Sequence, residues 1–116
     1  MQIKITINGK TATAVLHDNP TSRDFVAQLP MTLELEDYNG KEKICLLANK
    51  LTSENAPKGH RPSIDELTYY KPWGNLALFY KEAAYANGLI AMGKIISGME
   101  VLETNGSISA TFELMH

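Results

Sequence analysis

Apolar and polar positions alternate with a period of two through most of this chain. Ile3, Ile5 and Ile7 are separated by Lys4 and Thr6, so Met1 to Ile7 is expected to form a half-buried strand. Asn8-Gly9 follows, a two-residue hairpin signal because both residues tolerate positive φ. Lys10 to Leu16 returns as a second strand. Asn19-Pro20-Thr21 is expected to start a short helix: Asn19 can cap, and Pro20 loses nothing at the first helical position, where its missing N–H would have no partner. Thr21, with Asp24 three residues on, is the alternative cap. Phe25, Val26 and Leu29 supply its apolar face, and Pro30 ends it.

Alternation resumes at Met31, Leu33 and Leu35 against Thr32, Glu34 and Glu36, a strand with one wet face. Tyr38 to Lys41 turns the chain, and Lys43 to Leu47 is the next expected strand. Residues 48–62 carry little periodicity and read as a long loop, a feature often functional in compact domains. Asp65 to Tyr70, Asn75 to Tyr80, Leu89 to Ile96 and Ser107 to Met115 complete a count of about eight strands. Turns are expected at Tyr85 to Gly88 and at Asn105-Gly106. Gly93 marks a bulge or close approach within its strand, and Gly98 to Glu103 a single helical turn. Short strands with turn signals between them favour a barrel or sandwich over a βαβ sheet.

The length of 116 residues fits one domain, 1–116, with a core of its own. Eleven Lys and Arg stand against thirteen Asp and Glu, so the basic excess of a phosphate-binding surface is missing and nucleic acid is not an expected partner. No apolar run approaches a membrane span, and the N-terminal segment has no signal-peptide character. A single cysteine, Cys45, demands no oxidising compartment. A cytoplasmic setting is therefore expected, and Cys45 is read as a small buried hydrophobe.

Two blocks carry a family resemblance. Met92-Gly93-Lys94-Ile95 followed by Gly98-Met99-Glu100-Val101 is similar to the Phe-Gly-Lys-Val strand, Gly-Met and short helix of cyclophilins. Asn19-Pro20-Thr21, Leu35-Glu36-Asp37-Tyr38 and Tyr69-Tyr70-Lys71-Pro72-Trp73-Gly74-Asn75-Leu76 resemble, over nearly the whole length, the small bacterial cyclophilin-like proteins of largely uncharacterised function. The resemblance implies a mainly β fold, a cyclophilin-like eight-stranded barrel capped by one or two short helices. It does not imply prolyl isomerase activity. Cyclophilins use the arginine of a Phe-His-Arg segment, expected to stabilise the twisted amide electrostatically. The arginines here are Arg23 and Arg61, and neither follows Phe-His. Leu89 stands where cyclophilins carry a histidine.

No cofactor motif is present: Gly-x-Gly-x-x-Gly, Walker and Gly-x-Ser-x-Gly patterns are all missing. His17, His60 and His116 lack zinc-ligand spacing and read as solvated. The neighbouring carboxylates Glu36-Asp37 and Asp65-Glu66 point to opposite strand faces and are expected to act separately. The aromatic cluster Tyr69, Tyr70 and Trp73, with Asn75 beside it, is the expected binding wall, and Arg61 is expected to approach from the 48–62 loop. The competing expectation packs the rings as core, with Trp73 plugging one barrel end. The expected occupant is a small apolar ligand or a proline-containing peptide, or a second copy of the chain if the pocket is a homodimer interface. The alternative function is a peptidyl-prolyl cis-trans isomerase with a non-standard active site, using Arg61, Lys50 or Lys58 in place of the missing arginine.

Overall fold

The computed structural model describes residues 1–103 and 106–115. Asn105, half of the expected Asn105-Gly106 turn, and His116 lie outside the described residues. The strands are β1 (Gln2–Ile7), β2 (Lys10–Leu16), β3 (Met31–Tyr38), β4 (Glu42–Leu46), β5 (Gly59–His60), β6 (Glu66–Tyr70), β7 (Asn75–Phe79), β8 (Ala86–Asn87), β9 (Leu89–Ser97) and β10 (Ile108–Leu114). The helices are α1 (Pro20–Ala27) and α2 (Met99–Leu102).

Eight strands close into an antiparallel barrel in the order β1-β10-β3-β4-β7-β6-β9-β2. Closure gives every barrel strand a partner on both sides, removing the open edges of a flat sheet. The first and last strands pair directly, Ile5 opposite Phe112. Ile3, Ile5 and Ile7 are buried, as their alternation requires. Each such side chain contributes about 1.5–3 kcal/mol on leaving water. Asn8 and Gly9 make the first hairpin with φ of 51° and 78°.

Helix α1 is tied to the barrel through its start. The Asn19 side chain accepts the N–H of Ser22 at 2.8 Å and donates to the Ala91 carbonyl at 3.1 Å. Ser22 donates its hydroxyl to the Met92 carbonyl at 3.0 Å. Asn19, not Thr21, is thus the cap, and the Thr21 hydroxyl donates to the Thr52 carbonyl instead. The helix inserts Phe25 into the core, edge-on to Phe112 with ring centroids 5.8 Å apart.

Gly93 is the close approach that its place in a strand suggests. A Cβ there would collide with the Val15 carbonyl oxygen, and the β6–β9 register slips between Leu67 and Thr68, opposite Gly93 and Ala91. Two expectations change. Residues 48–62 are not wholly loop, and 85–88 are not only a turn: Gly59–His60 and Ala86–Asn87 pair as a small two-stranded sheet. Neither segment alternates, so only the tertiary pairing reveals these strands.

Lys43 is 2% exposed. It shares the inward face of β4 with Cys45, where its ammonium lies 3.5 Å from Asp37 and 6.0 Å from the centre of the Tyr80 ring. A buried ammonium survives only when paired.

Candidate functional site

The site forms on the outer surface of the barrel, where the strand registers align three rows of side chains. Leu46, Asn75, Tyr70 and Leu89 make one row across β4, β7, β6 and β9. Glu36, Ile44, Ala77 and Thr68 make the second. Tyr38, Glu42 and Phe79 make the third. Strand β7 is buried along its whole length: Leu76 and Leu78 belong to the barrel interior, while Ala77 and Phe79 join Leu89 in a second, external apolar cluster with Ala83 and Ala86 packed against it.

The turn after β6 brings Trp73 over this face. Gly74, with φ of 69°, donates its N–H to the Tyr70 carbonyl at 2.9 Å and closes the turn. The indole meets two tyrosines edge to face: Tyr38 at 5.5 Å and 87°, Tyr70 at 5.4 Å and 82°. It remains 51% exposed. Two hollows flank it. One, of about 460 Å³, is lined by Glu34, Glu36, Ile44, Leu46, Trp73 and Asn75. The other, of about 200 Å³, runs from Tyr38 and Glu42 past Tyr70 and Trp73 to an apolar floor at Phe79 and Leu89.

Asn75 lines both hollows. Its side chain is 3% exposed, its amide nitrogen donates to the Leu76 carbonyl at 2.9 Å, and its Oδ1 has no hydrogen-bond partner. An acceptor left unpaired in this way costs about 1–3 kcal/mol. Burial pushes the Glu42 carboxyl above its ordinary value, and the nearby Asp37 charge adds to this while Lys41 opposes it.

The structure therefore brings Tyr70, Trp73 and Asn75 together, and it separates Tyr69 and Arg61 from them. Strand alternation sends Tyr69 into the interior, 1% exposed, where its hydroxyl accepts the Leu51 N–H at 3.1 Å. Arg61 lies instead beside Pro62, Ser63, Ile64 and Glu82. Trp73 stands on the outer wall rather than in a barrel end. No residue of the 48–62 loop lines either hollow beside Trp73, and neither hollow has an arginine or lysine in its wall.

The loop bounds a different hollow of about 190 Å³ with the start of α1 and the start of β9. There His60 is no free surface imidazole. Its Nε2 lies 2.8 and 3.0 Å from the two oxygens of Glu66, and the Ser63 N–H donates to the same carboxylate at 2.8 Å. Nothing in the spacing of His60 and Glu66 marks this pair. Tyr38 and Glu42 were also missed as wall residues. For Tyr38 a signal existed, because it shares its strand parity with Glu34 and Glu36. Glu36 and Asp37 hold different partners, Ser107 and Tyr80. Asp37 accepts the Tyr80 hydroxyl, which holds its carboxyl below the ordinary value, with Lys43 also lowering it. Cys45 is buried and its thiol is pushed up by burial, the behaviour of an inert core residue. Among the described residues no three His, Cys, Asp or Glu side chains converge as metal ligands, and no helix is long and apolar enough to cross a membrane.

The sequence matches the family model described as the cyclophilin-like family over residues 5–113. No curated protein matches it. Among solved structures, the hypothetical protein AF2241 from Archaeoglobus fulgidus is similar with a TM-score of 0.71 at 16% identity, covering 97% of this chain and 93% of that one. McbB in complex with tryptophan is similar with a TM-score of 0.66 at 16% identity, covering 96% of this chain and 44% of McbB, so this chain spans less than half of that protein. At such identity both likenesses speak for the fold.

Proposed function

The chain belongs to the cyclophilin-like family, and from that premise we propose that it is a binding module. It takes a small ligand or a proline-containing peptide on the outer barrel face at Tyr70, Trp73 and Asn75, without efficient prolyl isomerase activity. The observation that carries this reading is the half-exposed Trp73, set edge to face with Tyr38 and Tyr70 and flanked by two hollows. Phe79 and Leu89 offer apolar surface in the smaller hollow. At 16% identity the likenesses to AF2241 and McbB concern the fold and carry no weight on chemistry. The buried lone cysteine fits a reducing, cytoplasmic setting.

The second half of the reading rests on the walls of the hollows. Stabilising a twisted amide calls for a positioned cation or strong donor, and no arginine or lysine lines the groove. Trp73 is the single tryptophan, so its emission reports this site alone. Titration with a blocked Gly-Pro-Gly peptide should shift that emission saturably. Trp73→Ala should lose the binding, followed by calorimetry, while keeping the fold by circular dichroism. Isomerisation of a proline peptide should proceed at its spontaneous rate of tens to hundreds of seconds. Catalysis well above that rate would restore the isomerase alternative. A concentration-dependent dimer that shields Trp73 would make the face an interface between copies.

A further inference from the structure

The chemistry of the groove at Trp73 goes further than a generic apolar site. Three aromatic rings meet at near-right angles there, the indole standing at 87° to Tyr38 and 82° to Tyr70. Rings arranged in this way present π faces and edges around one corner, and a π face attracts a cation through its quadrupole. Glu42 borders the same hollow, and Glu34 and Glu36 border its neighbour. Among the described residues Glu42 makes no ion pair, and neither do Glu34 and Glu36. Lys43, the nearest strand lysine, faces inward to Asp37. Carboxylates on one side of a cleft give a field that concentrates positive ligands, and Lys41 opposes it at Glu42.

Resting on the reading of this groove as a ligand site, we propose that its ligand presents an alkylammonium group, held between the rings of Trp73, Tyr38 and Tyr70 and the Glu42 carboxylate. Each part supplies a separate need of an ammonium. The rings replace its lost hydration on the apolar side. Glu42 supplies the counter-charge at the mouth. The raised carboxyl of Glu42 agrees with this, since a half-desolvated carboxylate is relieved by a bound cation. An alkylammonium occurs both as a free amine and as a lysine side chain on a peptide, and these two sources differ in what else they can touch along Ile44 and Leu46.

The test follows the emission of Trp73 at fixed ionic strength. The probes are n-butylammonium chloride against n-butanol, and blocked Gly-Lys-Gly against blocked Gly-norleucine-Gly. The charged member of each pair should bind about ten-fold more tightly than its neutral partner, between the exposed and the desolvated scale of a cation–π contact. Glu42→Gln should reduce that preference at least about three-fold with an unchanged circular dichroism spectrum, and raising salt in the wild-type protein should weaken the charged ligands selectively. The salt series needs no variant, so it tests the proposal even if Glu42→Gln fails to fold. Tighter binding of the lysine peptide than of butylammonium assigns the ammonium to a peptide, and parity assigns it to a free amine; either supports the proposal. Equal binding of charged and neutral members overturns it and leaves the groove as an apolar or proline-peptide site, which the Gly-Pro-Gly titration reports. Silence of Trp73 toward every probe overturns the groove reading and this one with it.

Discussion

The hydroxyl of Tyr69 accepts the backbone N–H of Leu51 at 3.1 Å, inside the barrel. This bond fastens the long 48–62 segment to the core through a ring that lies next in sequence to the groove residue Tyr70. Tyr69→Phe leaves the Leu51 N–H buried without its acceptor. We expect a loss of about 1–3 kcal/mol in urea unfolding, with the emission maximum of Trp73 in the folded protein unchanged. A shift of that maximum would mean that Tyr69 also shapes the groove.

Gly93 sits where no side chain fits, because a Cβ would meet the Val15 carbonyl and the Leu16 side chain. Gly93→Ala must push β2 and β9 apart at the point where β6 slips register. The expected cost is about 1–3 kcal/mol, the range for overpacking. Gly40→Ala is the control for conformational cost alone, since its φ is 62° and nothing lies within 4 Å of its added Cβ. Gly93 lies outside the left-handed region, so its loss reports the clash alone, and unchanged stability of Gly93→Ala would contradict the steric account.

Tyr80 and Asp37 form a third test through pH. The Tyr80 hydroxyl is pushed up to about 12 by its bond to Asp37, with burial adding to this. The folded state thus holds this proton more tightly than the unfolded chain, whose tyrosine titrates near 10. The stability from this group is complete below the unfolded value and is lost as pH rises from about 10 to about 12. Asp37, held below its ordinary value of 3.8, gives the opposite sign: its contribution is present above that value and lost as pH falls through the folded one. Tyr80→Phe should abolish the alkaline loss and move Asp37 back toward an ordinary carboxylate, followed by carboxyl carbon NMR. An unmoved Asp37 would place its depression on Lys43 rather than on Tyr80.

The strands were legible wherever one face is wet. Ile3, Ile5 and Ile7, or Met31, Leu33 and Leu35, declare a face by alternation, and the Asn8-Gly9 and Asn19-Pro20 signals declare a hairpin and a cap through backbone chemistry that acts within a few residues. The Pro-Trp-Gly-Asn block likewise pointed to the segment that carries Trp73. Reading Tyr69, Tyr70 and Trp73 as one wall failed at Tyr69, because consecutive strand residues face opposite sides. Alternation could have removed Tyr69 from the wall once Leu67 was taken as core, and it could have added Tyr38.

By itself, the sequence determined most of the local elements, a mainly β class from short alternating strands, and the reading of Cys45 as a small buried hydrophobe. All of these follow from interactions between near neighbours or from burial preference. Only the tertiary structure decided that Trp73 lies between Tyr38 and Tyr70, that Asn75 keeps an unpaired oxygen beneath it, and that Arg61 sits away from both. It also decided that His60 pairs with Glu66 and Lys43 with Asp37. Those contacts join segments through barrel registers and loop paths. A register shift of one residue would turn every one of the outward groove side chains inward, and the registers are set by the packing of the whole barrel.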